Sequence, residues 1–134
     1  MLNGDGPFQI EIGAPFIHVG DFNFVGYREQ VETLRDGNIV DESQFGNDFS
    51  PDWDFTDIAE TFPQHTHKRM GYTWRNDESS FNPGKLDYIF YSHATITTGN
   101  QFILNTLALD ELTLEQYGIE QNETKKATDH QPLK

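Results

Sequence analysis

Apolar runs along this chain are short, and polar residues close each of them. The first, Pro15-Phe16-Ile17-His18-Val19, leads straight into Gly20-Asp21-Phe22-Asn23. It predicts a short buried strand over residues 16–19 that delivers a polar turn at its end. Residues 27–35 take helical spacing, with Val31 and Leu34 inward, Arg28 and Glu32 as an i,i+4 pair, and Gly37 as the C-terminal stop. Glycines at 4, 6 and 13 make residues 1–14 a loop lead-in, and residues 38–71 read as irregular with a helical turn about 57–60. Tyr72-Thr73-Trp74-Arg75 is a strand by propensity, and residues 85–92, after the turn Asn82-Pro83-Gly84, form the clearest strand. Residues 94–98 and 101–105 predict a hairpin joined by Gly99-Asn100. Thr113-Leu114-Glu115-Gln116 matches a capping box for a short helix ended by Gly118, and residues 120–128 are a polar loop. With strands outnumbering helices, the pattern predicts an α+β fold, a mostly antiparallel sheet with flanking helices, over residues 15–134.

Composition narrows what such a fold would do. A chain of 134 residues can bury a core, and its 11 phenylalanines favour a packed sheet. No stretch approaches the roughly 20 apolar residues a membrane span needs. Met1-Leu2-Asn3-Gly4-Asp5 has neither a basic n-region nor an apolar h-region. No signal peptide is therefore expected in this chain, which fits a cytoplasmic protein or one secreted on a signal encoded upstream. The absence of cysteine excludes disulfides and thiolate metal sites. The net charge of -13, with only nine scattered Lys and Arg residues, disfavours duplex nucleic acid as partner. A small phosphoester or a lipid headgroup suits that balance better.

The polar residues closing the apolar runs are the candidate chemistry. Strand alternation puts Asp21 and Asn23 on one face, where an acceptor and an amide donor can orient water and hold a phosphate oxygen. An ordinary Asx turn ending a strand accounts for them equally well. Asp87, inside Leu86-Asp87-Tyr88-Ile89-Phe90, must be paired or hydrogen-bonded. It is either a satisfied structural carboxylate or the partner of an imidazole whose pKa it raises. Asp129-His130 offers that imidazole, together with a hard oxygen ligand suited to Mg²⁺ or Mn²⁺.

In order and spacing, Gly20-Asp21-Phe22-Asn23, Tyr72-Thr73-Trp74, Leu86-Asp87-Tyr88-Ile89-Phe90 and Thr128-Asp129-His130-Gln131-Pro132 resemble one family. It is the C-terminal half of the endonuclease/exonuclease/phosphatase superfamily, the deoxyribonuclease-like metal phosphoesterases. The resemblance implies half of a four-layer, two-sheet sandwich and a divalent-metal-dependent hydrolase, nuclease-like in its site. Asp21 would activate or orient the attacking water, and Asn23 would bind the scissile phosphate. Asp129 would belong to the Mg²⁺ (or Mn²⁺) site, and His130, oriented by Asp87, would stabilise the pentacovalent transition state. Family members also carry an upstream half with an early Asn and a metal-binding Glu. Glu11, only ten residues before Asp21, is too close to play that Glu. The chain is therefore expected to be half an active site, weak or inactive when isolated. Its inner sheet face is expected to self-associate or to pack on a missing partner.

Other groupings carry less. His65-Thr66-His67 would place two imidazoles on one strand face for zinc, without a third ligand. Asp48, Asp52, Asp54 and Asp57 form an acidic loop that misses the EF-hand spacing, so capping or solvated roles are expected over Ca²⁺ binding. Trp53 and Trp74 offer stacking surfaces or core, His18 a hydrogen-bonded core position, and His93 nothing specific. The reading from a different class is a non-catalytic remnant that keeps the fold for binding or assembly.

Overall fold

The computed structural model describes residues 11, 13–52, 54, 56 and 58–134. The lead-in to residue 10, together with Trp53 and Asp57, lies outside the described residues. The elements are β1 (Ile17–Asp21), α1 (Glu29–Asp36), α2 (Glu42–Phe45), β2 (Ala59–Glu60), β3 (Asp87–Tyr91), α3 (Glu111–Tyr117) and α4 (Glu123–Ala127), with a 3-10 turn at Thr106–Ala108. The fold is α+β. One small sheet has the strand order β1-β3-β2. β2 pairs antiparallel with β3, Ala59 opposite Tyr91 and Glu60 opposite Phe90. The Ser92 N–H donates to the Phe16 carbonyl (3.2 Å) and the Phe22 N–H to the Leu86 carbonyl (2.9 Å). That antiparallel register sets Asp21 directly opposite Asp87.

The chain divides into two compact units. The first comprises the stretch ending at Val19 with Gly26–Glu60 and Ile89–Thr97. Phe90 is fully buried in it and Ile58 nearly so, whereas Ile17 and Val19 are 56% and 65% exposed. β1 is thus not the buried strand its sequence predicts. α1 starts two residues later than its spacing suggests and carries the expected Arg28–Glu32 pair at 2.6 Å. It ends at Gly37 with φ of 74°. Only glycine fits there, because a Cβ would sit 1.7 Å from the Phe49 carbonyl oxygen. The turn expected about 57–60 is instead β2, anchored where the Ile58 N–H donates to the Arg35 carbonyl (3.0 Å).

Gly20–Val25, Thr61–Tyr88 and Thr98–Lys134 make up the second unit. Its centre is polar as much as apolar: Ile103 and Thr73 are fully buried, with Thr106, Thr124, Asn105 and His65 close behind. The predicted hairpin over 94–105 does not form. The Thr95 and Ile96 N–H groups fold back onto the Ser92 carbonyl (3.3 and 3.1 Å), while Ile103 bridges to His65 and to Leu133. Partners far along the chain outcompete the local Gly99-Asn100 turn. α3 is capped by Asp110, which accepts from the Thr113 N–H (2.8 Å), so the cap lies three residues before the expected one. Gly118 ends it as predicted, with φ of 63°. The polar stretch 120–128 holds α4, fixed by paired Thr106 and Thr124 hydroxyls 3.0 Å apart. With four α-helices against three strands among the described residues, the expected majority of strands is reversed. No helix among the described residues is long and apolar enough to cross a membrane.

Candidate functional site

All five residues singled out as candidate chemistry, Asp21, Asn23, Asp87, Asp129 and His130, fall in the second unit. Three adjacent segments position Asp87, Asp129 and His130, and Gly20–Val25 brings Asp21 and Asn23 beside them through the Phe22–Leu86 hydrogen bond. Trp74 bridges antiparallel to Gly84 on one side and to His130 on the other. The stretch from Thr73 to Arg75 is therefore the middle member of a short ladder. Its flanks carry Asp87 and the Asp129-His130 pair.

The Nδ1 of His130 lies 2.8 Å from Oδ2 of Asp87, with side-chain exposures of 30% and 17%. A carboxylate only accepts, so Nδ1 carries the hydrogen and Nε2 is the free ring position. That Nε2 lies 3.9 Å from Oδ2 of Asp21, whose side chain is 38% exposed. Burial by itself would lower the imidazole's pKa. The hydrogen bond to Asp87, then the charges of Asp87, Asp21 and Asp129, outweigh it and raise the pKa above the ordinary 6.5. Two like charges opposite each other on neighbouring strands repel. An imidazolium between Asp21 and Asp87 relieves that repulsion.

Asp21 also closes an Asx turn, its Oδ1 accepting from the Asn23 N–H (2.9 Å). Asn23 has φ of 53°, the one left-handed non-glycine residue among the described residues. Strand alternation thus stops at Asp21, and the turn rather than the strand brings Asn23 alongside it. The structural reading of this pair holds, and it leaves both side chains on one cavity. That cavity, of about 600 Å³, is lined by Asp21, Asn23 and His130 together with the apolar Phe24, Trp74, Phe81 and Leu86. Lys85 is the one lysine or arginine lining it among the described residues. Its ammonium is already committed, donating to the Thr61 carbonyl (3.0 Å) and lying over the Tyr88 and Phe62 rings (4.5 and 4.8 Å).

Trp74 does more than fill core. Its Nε1–H donates to Oδ2 of Asp129 (3.0 Å), and the Arg75 N–H donates to the Asp129 carbonyl (2.9 Å). Asp129, an exposed hard oxygen donor, is thereby oriented from two sides. Among the described residues no three His, Asp or Glu side chains gather as a metal-ligand set. The wall residues Phe24 and Phe81 carried no chemical signal in the sequence.

The remaining candidates separate. His65 is buried with both ring nitrogens engaged, by the Tyr72 carbonyl (2.8 Å) and the Asn105 amide (3.0 Å), so it offers no lone pair to zinc beside exposed His67. In the acidic loop Asp48 accepts from the Ile39 N–H (2.7 Å) and Asp54 from the Thr56 N–H (3.1 Å); the first braces a loop and the second closes an Asx turn, so neither caps a helix. His18 is half-buried against Phe16, ring centroids 5.3 Å apart, and His93 is exposed. Comparison of the chain with family models, with curated proteins and with solved structures finds no match.

Proposed function

We propose that this chain supplies catalytic groups to a divalent-metal-dependent phosphoesterase, as the C-terminal half of an endonuclease/exonuclease/phosphatase-type domain built as a two-sheet sandwich. The observation that carries the reading is the relay Asp87···His130, its free Nε2 facing Asp21 on a cavity that Asn23 also lines. Three separate sequence segments supply those groups, and Trp74 brings a fourth to the same cavity. A structural carboxylate for Asp87 alone would not require the other three.

The chemistry follows from the geometry. Asp87 fixes the His130 tautomer and favours the protonated ring, so Nε2–H donates to a phosphoryl oxygen as charge builds on it. Asn23 supplies a neutral donor to the same group. Asp21 accepts a hydrogen bond from the attacking water and orients it. Asp129 is the residue that would hold Mg²⁺ or Mn²⁺. A single oriented carboxylate suits such an ion, which usually keeps several waters and shares its shell with substrate phosphate. When bound, the ion neutralises phosphoryl charge and assists the leaving oxygen.

The cavity favours a small phosphoester or a lipid headgroup over a duplex. Its wall is apolar, its one lysine is already committed, and the chain carries a net charge of -13. Hydrolysis of a generic phosphodiester with Mg²⁺ or Mn²⁺, by the full encoded polypeptide that contains this chain, tests the reading. Metal-dependent turnover that His130→Ala removes is expected; a protein that stays inert in every metal would overturn it.

A further inference from the structure

Asp87 and His130 are 43 residues apart in sequence, and their one direct link is a single hydrogen bond of 2.8 Å. A relay of that kind needs its two partners held by something stiffer than itself. Thr73 stands between them. It is fully buried, and its Oγ1 accepts two backbone hydrogen bonds, from the Leu86 N–H (3.0 Å) and the Asp87 N–H (2.9 Å). On its other side the Thr73 carbonyl accepts from the Gln131 N–H, the residue after His130. One residue therefore fixes the backbone at Asp87 through its side chain and the backbone beside His130 through its main chain. Ordinary strand pairing would satisfy an amide with a carbonyl. Here a hydroxyl takes two consecutive amides, at the residue that opens β3 and the one before it.

We propose that Thr73 is a positioning residue whose hydroxyl sets the alignment of Asp87 with the His130 ring. The consequence for catalysis rests on the phosphoesterase reading, but the alignment itself does not. Valine matches threonine in shape and lacks the acceptor, whereas serine keeps it. The experiment is to follow the His130 imidazole Nδ1–H resonance in isotope-labelled, metal-free protein for the wild type, Thr73→Val and Thr73→Ser.

The wild type and Thr73→Ser are expected to show a downfield, slowly exchanging Nδ1–H. Thr73→Val is expected to lose it while the buried Thr106 and Thr124 amide resonances stay in place. A valine variant that keeps the resonance at its wild-type position and exchange rate would overturn the proposal and leave Thr73 as core filling. Should the valine form not fold, serine carries the test, since loss of the resonance there equally overturns it. None of these readouts needs turnover, so an inactive protein with an intact valine effect would sink the phosphoesterase reading and leave this one standing.

Discussion

His65 and His130 sit in the same compact unit and differ in everything but the side chain. Around His65 both hydrogen-bond partners are uncharged. The Asn105 Oδ1 accepts from the Leu107 N–H (3.2 Å), so its amide nitrogen must donate to Nδ1, and Nε2–H then donates to the Tyr72 carbonyl. The Tyr72 ring closes on it edge-on at 4.2 Å. Around His130 the neighbours are carboxylates, one nitrogen is left facing a cavity, and the pKa is raised. An imidazole becomes a working group when its partners favour the charged form and leave one nitrogen open. When its partners use both nitrogens, it becomes a strut.

Exchanging the partners should break this contrast most severely. Asp87→Leu removes the acceptor that fixes the His130 tautomer, and hydrolysis should fall by a factor on the order of 10²–10⁴, the range general acid–base groups contribute. Because the pair is partly exposed, denaturant stability should change little. Unimpaired turnover in the Asp87→Leu protein would contradict the role given to the pair. The reverse pattern is expected at the other ring. His65→Leu orphans the Tyr72 carbonyl and leaves the Asn105 amide with only the Tyr72 hydroxyl (3.2 Å), at roughly 1–3 kcal/mol for an orphaned group, read as a lower urea midpoint. An unchanged midpoint would mean that the buried network contributes nothing.

Smaller still is the pH dependence. The folded pKa of His130 lies above the unfolded value of about 6.5, so its stabilisation is complete below that pH and fades as pH rises through the folded value. The melting temperature of the wild type should exceed that of His130→Gln by more at about pH 5.5 than at about pH 8.5. Equal gaps at the two pH values would contradict the raised pKa.

What the sequence made legible were the ends of apolar runs. Asp21 and Asn23 were readable because they close such a run and Asp87 because it interrupts one, where a charge must find a partner, while Asp129 and His130 were readable as the imidazole and oxygen ligand that Asp87 called for. Elements whose partners lie far along the chain were not. β2 is two residues long, too short for any period, and exists because β3 pairs with it. Ile103 abandons the local hairpin for His65 and Leu133. α4, drawn from Glu123-Thr124-Lys125-Lys126-Ala127, has no apolar stripe and is held by one buried threonine pair. Thr73 looked like an ordinary strand residue, since nothing local says that its hydroxyl will take two distant amides.

The most direct measurement is the rate of phosphodiester hydrolysis with Mn²⁺ by the full encoded polypeptide, compared across the wild type, His130→Ala and His65→Leu. At a temperature where all three are folded, the account expects the His130 variant to lose turnover on the order of 10²-fold or more and the His65 variant to keep most of it. Turnover that survives His130→Ala would contradict the central claim.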